Sequence, residues 1–137
     1  MANVLFVCLH NAGRSQISRA LCSQAGDGRH RADSSGTQPA DQVHPEVVEV
    51  MGEIGIDLSG QVPKELTTEQ AQWADVIVTM GCGDACPYIP GKRYIDWDLQ
   101  DPKGQEIDQV RTTRDEIRIR IADLVADLDA DATGAGH

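Results

Sequence analysis

The sequence predicts an α/β fold, a single-domain, doubly wound, four-stranded parallel sheet flanked by helices. Short apolar runs at Val4–Val7 and Val76–Met80 are typical of strands buried on both faces. Segments with apolar residues at helical spacing separate these strands. Both apolar runs lead directly into polar loops that contain glycine and cysteine. Since ligands of doubly wound sheets bind at the carboxyl ends of the strands, we expect the two loops to face one crevice.

The first half of the chain alternates strands with helices. The predicted elements are a strand at 4–7 ending near Cys8, a helix at 15–25, a weak strand at 31–35 and a helix at 45–54. Ile17 and Leu21 recur at helical spacing until Gly26 ends the first helix. Pro45 is a residue type favoured at the first position of a helix, which places the start of the second one.

The second half repeats the alternation. It is predicted to contain a short helix at 68–73, the apolar strand at 76–80, an edge strand at 94–97 and a closing helix at 107–128. Ile117, Ile121 and Leu124 share one face of that helix. We therefore expect one domain over residues 1–128. The small, polar residues 129–137 predict a disordered C-terminal tail.

Composition narrows the functional classes. A chain of 137 residues that is 40% hydrophobic can bury one core, and its formal charge of −10 argues against nucleic acid or an anionic membrane as a partner. The N-terminus has neither a basic leader nor a membrane-spanning apolar run, so a cytoplasmic location is expected. In a reducing compartment, four cysteines favour catalytic, redox, metal-binding or buried roles over a disulfide framework.

The segment from Cys8 to Ser15, the oxyanion loop, has the features of an anion site. A loop that enters a helix N-terminus turns several backbone N–H groups toward one point, and Arg14 can add a planar fork to two oxygens of the anion. The same donors stabilise a thiolate, so Cys8 is predicted to be nucleophilic, with help from Ser15 and with Asn11 bracing the loop. The predicted anion-binding residues are Leu9, His10, Asn11, Ala12, Gly13, Arg14 and Ser15.

The stretch VCLHNAGRSQ resembles the phosphate-binding loop of the low-molecular-weight protein tyrosine phosphatases and, more closely, of the arsenate reductases built on that fold. The resemblance extends through HPEVVEVMGEIGIDLSGQ, ADVIVTMGC and DLQDP, from Val4 to about Leu128. It implies the fold of that family. It also implies that Cys8 attacks arsenate, which is reduced to arsenite.

The resemblance assigns three further catalytic residues. Expulsion of hydroxide from arsenate needs an acid, and Asp101, followed by Pro102, matches the acid of the family. By similarity to the three-cysteine reductases, Cys82 attacks the Cys8 adduct and Cys86 then attacks Cys82. The resulting disulfide would be reduced by thioredoxin. The family places more residues between these two cysteines, so the order of their attack stays open.

Other functions remain alternatives. A small thiol such as mycothiol or glutathione, with a redoxin, could replace thioredoxin. A tyrosine phosphatase would need only Cys8, but it usually has cysteine at the position of Gly13 and aromatic residues at Lys103-Gly104. A zinc site at Cys82 and Cys86 would need two more ligands from His10, His30 or His44. Some family members hold potassium with an acidic residue where this chain has Arg19, so no potassium site is predicted. The predicted reaction uses no other metal and no organic cofactor. Cys22 is predicted to be packed in the core.

Overall fold

The computed structural model of the chain describes residues 2–26, 28–80, 92–99 and 105–134. Its sheet has four parallel strands, β1 (Asn3–Cys8), β2 (Arg31–Gly36), β3 (Val76–Met80) and β4 (Arg93–Asp96), in the order β2-β1-β3-β4. All four strands lie at or within a residue of the predicted positions. The predicted fold class is confirmed.

The helices within the described ranges are α1 (Arg14–Gly26), α2 (Pro45–Gly52), α3 (Thr68–Trp73) and α4 (Ile107–Gly134). Successive side chains of β1 point to opposite faces of the sheet, so Val4, Phe6 and Cys8 join the larger core while Leu5 and Val7 join the smaller one. The larger core receives the apolar sides of α1, α2 and α4. The smaller core is closed by Trp73 and Ala74, at the end of α3. Helices therefore cover both faces, and β1 is buried between them.

The predicted C-terminal tail is wrong over residues 129–134, because α4 continues to Gly134 instead of ending at Leu128. Two contacts account for the extension. Asp129 accepts hydrogen bonds from Arg29, at 3.1 Å, and pairs with His30 at 2.8 Å. These bonds hold the helix beyond its apolar stripe, and alanines among the following residues favour helix. Residues 135–137 lie outside the described residues.

In the described ranges, none of the helices is long and apolar enough to cross a bilayer. No group of three or more histidine, cysteine, aspartate or glutamate side chains within those ranges is arranged to hold a metal ion. The two cysteines of the zinc alternative lie outside them.

Candidate active site

The oxyanion loop lies where the sheet changes its winding direction. It joins the carboxyl end of β1 to the first residue of α1. The chain runs from β1 to β2 on one side and then to β3 on the other, and Cys8 pairs in register with Gly36 and Met80. A crevice at such a position is the usual ligand site of an open α/β sheet.

Each carbonyl group from Cys8 to Gly13 is bound on the outer side of the loop. The segment 37–44 supplies four backbone donors: Thr37 to Cys8 (3.3 Å), Gln38 to Leu9 (2.8 Å), Ala40 to His10 (3.0 Å) and His44 to Ala12 (2.9 Å). Gln16 Nε2 donates to the Asn11 carbonyl at 3.1 Å, and Ile17 N–H donates to that of Gly13 at 3.0 Å. Because C=O and the following N–H are antiparallel in a trans peptide, the N–H groups of residues 9–14 turn to the inner side. The geometry suits a tetrahedral anion.

The Cys8 thiol, which is 2% exposed, has two neighbours that stabilise a negative charge. Ser15 Oγ lies 2.9 Å from Cys8 Sγ, and the Asn11 N–H donates to the same sulfur at 3.3 Å. Hydrogen bonds donated to an atom that carries negative charge are charge-assisted and stronger than neutral ones. The contact that the predicted role of Ser15 needs is present, and the role itself stays a prediction.

Asn11 determines which way the Ser15 hydroxyl points. Its Oδ1 accepts from the backbone N–H of Lys64 at 3.0 Å and from Gln16 Nε2 at 3.2 Å, so its Nδ2 must face Ser15, at 2.7 Å. Ser15 Oγ accepts that bond, and its own hydrogen is then directed to Cys8 Sγ. Asn11 is fully buried and has φ +50°, a left-handed conformation that asparagine tolerates better than most residues.

Arg14 begins α1 and is 6% exposed. Its guanidinium donates to the carbonyl oxygen of Leu99 at 3.3 Å. This bond ties the start of the helix to the segment that follows β4. Binding of an anion by this guanidinium stays a prediction.

Two residues that the sequence did not single out are part of this site. Gly36 ends β2, and a Cβ added there would lie 2.7 Å from the Leu9 carbonyl oxygen and 2.9 Å from the Asn11 nitrogen. Only glycine allows the loop to approach β2 so closely. Lys64 lies in a segment without helix or strand, so no periodicity indicated its contact with Asn11.

Cys82, Cys86 and Asp101 lie outside the described residues, and their roles stay predictions. The described residues that precede them approach the loop: Met80 pairs with Cys8, and Leu99 contacts Arg14. Cys22, by contrast, is fully buried in the core, and burial raises the pKa of its thiol to about 11. Its predicted packing role is confirmed.

Comparisons with known proteins agree with the fold. The family model for low molecular weight phosphotyrosine protein phosphatase matches residues 3–133. A Halobacterium salinarum protein provisionally named an arsenate reductase is 45% identical over 92% of each chain. The glutaredoxin arsenate reductase of Synechocystis is 34% identical over 93% of this chain and 99% of its own.

A solved structure extends the comparison. The thioredoxin-dependent arsenate reductase of Corynebacterium glutamicum superposes with a TM-score of 0.82 at 39% identity. The match covers 96% of this chain but spans only 63% of the length of the Corynebacterium protein.

Proposed function

This chain belongs to the low molecular weight phosphotyrosine protein phosphatase family, and we propose that it reduces arsenate to arsenite. The two relatives described above match it over nearly their whole length, and both names contain the term arsenate reductase. The observation that carries the proposal is the oxyanion loop, whose carbonyl groups are bound outward around a buried thiol. Phosphate and arsenate are both tetrahedral oxyanions, so this geometry accepts either. The names of the relatives favour arsenate.

The first step is nucleophilic attack by the Cys8 thiolate on arsenic. A sulfur–arsenic bond forms, and an arsenic–oxygen bond breaks. Arg14 and the inward N–H groups hold the remaining oxygens, where they offset the charge of the transition state. Asp101 protonates the departing oxygen, which would otherwise leave as hydroxide.

The second step transfers the electrons. Cys82 attacks the sulfur of Cys8, the electron pair of the sulfur–arsenic bond passes to arsenic, and arsenite leaves. Cys86 then attacks Cys82 and frees the Cys8 thiolate. One disulfide, Cys82–Cys86, has formed for each arsenate reduced, so the electron count balances.

An external dithiol must reduce that disulfide, and we assign this role to thioredoxin in the cytoplasm. The name of the Corynebacterium protein supports this choice, whereas the name of the Synechocystis protein points to glutaredoxin. A small thiol such as mycothiol, acting with a redoxin, is the alternative. The reaction needs no bound metal or organic cofactor, and one domain carries all of its steps.

Phosphate-ester hydrolysis is the second candidate. The family match itself favours it, and the hydrolysis would use Cys8, Arg14 and Asp101 without a second thiol. Replacement of Cys82 or Cys86 would then leave the rate unchanged.

The test couples arsenate reduction to NADPH oxidation through thioredoxin and thioredoxin reductase, in parallel with hydrolysis of a chromogenic phosphate ester. Cys8→Ser should abolish turnover in both assays, and Cys22→Ser is the matched cysteine control that should retain it. Cys86→Ser should stop turnover with thioredoxin; turnover that persists in this variant with a small thiol and a redoxin would identify the alternative reductant. Ester hydrolysis without arsenate-dependent oxidation in any reducing system would refute the reductase proposal.

A further inference from the structure

Residues 61–67 form a strap along the outer edge of β2, beside the oxyanion loop. The strap pairs with the end of that strand, because Gly36 N–H donates to the Lys64 carbonyl at 2.9 Å and Leu66 N–H donates to the Gly36 carbonyl at 3.0 Å. From this position the Lys64 N–H reaches Asn11 Oδ1. The strap thus contributes a hydrogen-bond donor to the nucleophile's surroundings.

That donor helps to decide the orientation of the Asn11 amide. An asparagine amide can rotate by half a turn and exchange its oxygen and nitrogen positions. With Lys64 N–H on Oδ1, the NH₂ group faces Ser15, and the Ser15 hydroxyl is free to donate to Cys8. If the strap moves away, Oδ1 keeps only the longer bond from Gln16 Nε2 among those described, at 3.2 Å, and the reversed amide can compete with Cys8 for the hydrogen of Ser15. The thiolate would then lose one of its two donors.

The side chain of Lys64 holds the strap in place. Its ammonium pairs with Asp33 Oδ1 of β2 at 2.5 Å. Asp33 also accepts from Gln70 Nε2 of α3 at 2.9 Å and from the Ser34 N–H at 2.8 Å. Partial burial opposes ionisation of Asp33, but the hydrogen bonds of Lys64, Gln70 and Ser34 outweigh it and hold the pKa of the carboxyl below its usual 3.8. The Asp33 carboxyl is therefore ionised at neutral pH.

We propose that Lys64 is a positioning residue for the nucleophile: its ion pair with Asp33 keeps the strap N–H on Asn11, and Asn11 in turn keeps the Ser15 hydroxyl on Cys8. The inference goes beyond the assignment of the reaction and rests on the proposed function only in taking Cys8 as the nucleophile. The ion pair is half-exposed, with side chains 51% and 32% accessible, so its contribution to global stability is small. Its effect is expected at the thiol instead.

The experiment measures the alkylation rate of Cys8 by iodoacetamide as a function of pH, resolved by mass spectrometry of tryptic peptides. Cys8 falls on peptide 1–14 and Cys22 on peptide 20–29, so the two thiols are read separately. Cys22 reports on the integrity of the core, since it is fully buried. No arsenate is required, and the result therefore stands even if the substrate proves to be another anion.

Lys64→Met keeps the apolar stem but removes the charge, and Asp33→Asn breaks the same pair from the other side. Both variants should move the midpoint of the Cys8 profile up by about 0.5–1 pH unit, which slows alkylation below the midpoint roughly 3–10-fold. Lys64→Arg keeps the positive charge, so the midpoint of its Cys8 profile should stay close to that of the unaltered protein. Lys92→Met is the matched control, because the Lys92 ammonium binds the Gln72 carbonyl away from the loop; its profile should equal that of the unaltered protein.

An upward shift in both Lys64→Met and Asp33→Asn, with Cys22 still protected, supports the proposal. An unchanged Cys8 profile in both variants overturns it, as does a shift of the same size in Lys92→Met. Alkylation of Cys22 in step with the shift in both variants would also overturn it, because general loosening of the core would then be the cause.

Discussion

Gly36→Ala tests how closely the oxyanion loop must approach the sheet. The added Cβ would lie 2.7 Å from the Leu9 oxygen, 2.9 Å from the Asn11 nitrogen and 3.0 Å from the His10 carbonyl carbon. All three are backbone atoms, so rotation of a side chain cannot relieve the contacts. The loop itself must move away from β2.

The required movement sets the expected effect. Ordinary contact begins at 3.4 Å, so the loop must retreat by about 0.7 Å, more than the roughly 0.5 Å that a reacting centre tolerates. We expect kcat/KM for arsenate to fall about 10–100-fold. Overpacking should lower the free energy of unfolding by about 1–3 kcal/mol.

The measurements are steady-state arsenate reduction, inhibition by inorganic phosphate and thermal unfolding. Gly52→Ala is the matched control: Gly52 is exposed near the end of α2, and a Cβ there would meet nothing within 4 Å. The control should retain full activity and gain up to about 1 kcal/mol of stability. If Gly36→Ala matched Gly52→Ala in kcat/KM and in Tm, the close-approach argument would be refuted.

Three further predictions concern the surroundings of the site and the core. Asn11→Ala leaves buried donors unpaired and places alanine at φ +50°. It should lower the free energy of unfolding, measured in urea, by roughly 2–4 kcal/mol. It should also lower turnover at least about tenfold, and turnover at the original rate would contradict this. Cys22→Ala should keep kcat unchanged and lose about 1 kcal/mol of stability, and Cys22 of the native protein should resist alkylation at pH 8, because burial raises the pKa of its thiol to about 11. Asp129 has its pKa lowered by hydrogen bonds, first from Arg29 and then from His30; its stabilisation is therefore fully present above pH 3.8 and is lost as the pH falls through the lowered native value. The stability difference between the native protein and Asp129→Asn should accordingly still be present at about pH 5 and shrink in more acid solution, and a difference independent of pH from about 5 down to 2 would contradict the assignment.

The order of the elements could be predicted from the sequence because each one has a local cause. The apolar runs that become β1 and β3 and the helical spacing of Ile17 and Leu21 depend on residues only a few positions apart. The end of α4 depends on a contact about 100 positions away, between Arg29 and Asp129, and its prediction failed for that reason.

The functional residues also differ in whether neighbouring residues in the sequence were enough to predict them. Cys8, Arg14 and the helix start lie within one short segment, so their spacing, together with the strand before it and the helix after it, indicated anion chemistry. The roles of Cys82, Cys86 and Asp101 follow from family resemblance, and they stay predictions outside the described residues.

The sequence by itself determined the alternation of strands and helices, and it predicted Cys8 as the nucleophile of the loop that follows β1. Only the tertiary structure decided what shapes that loop: the donors of residues 37–44, the space left by Gly36, and the contact of Lys64 with Asn11 across 53 positions. Hydrogen bonds and close approaches of this kind join residues that become neighbours only when β2 and the strap pack beside β1. No periodicity in the chain encodes them.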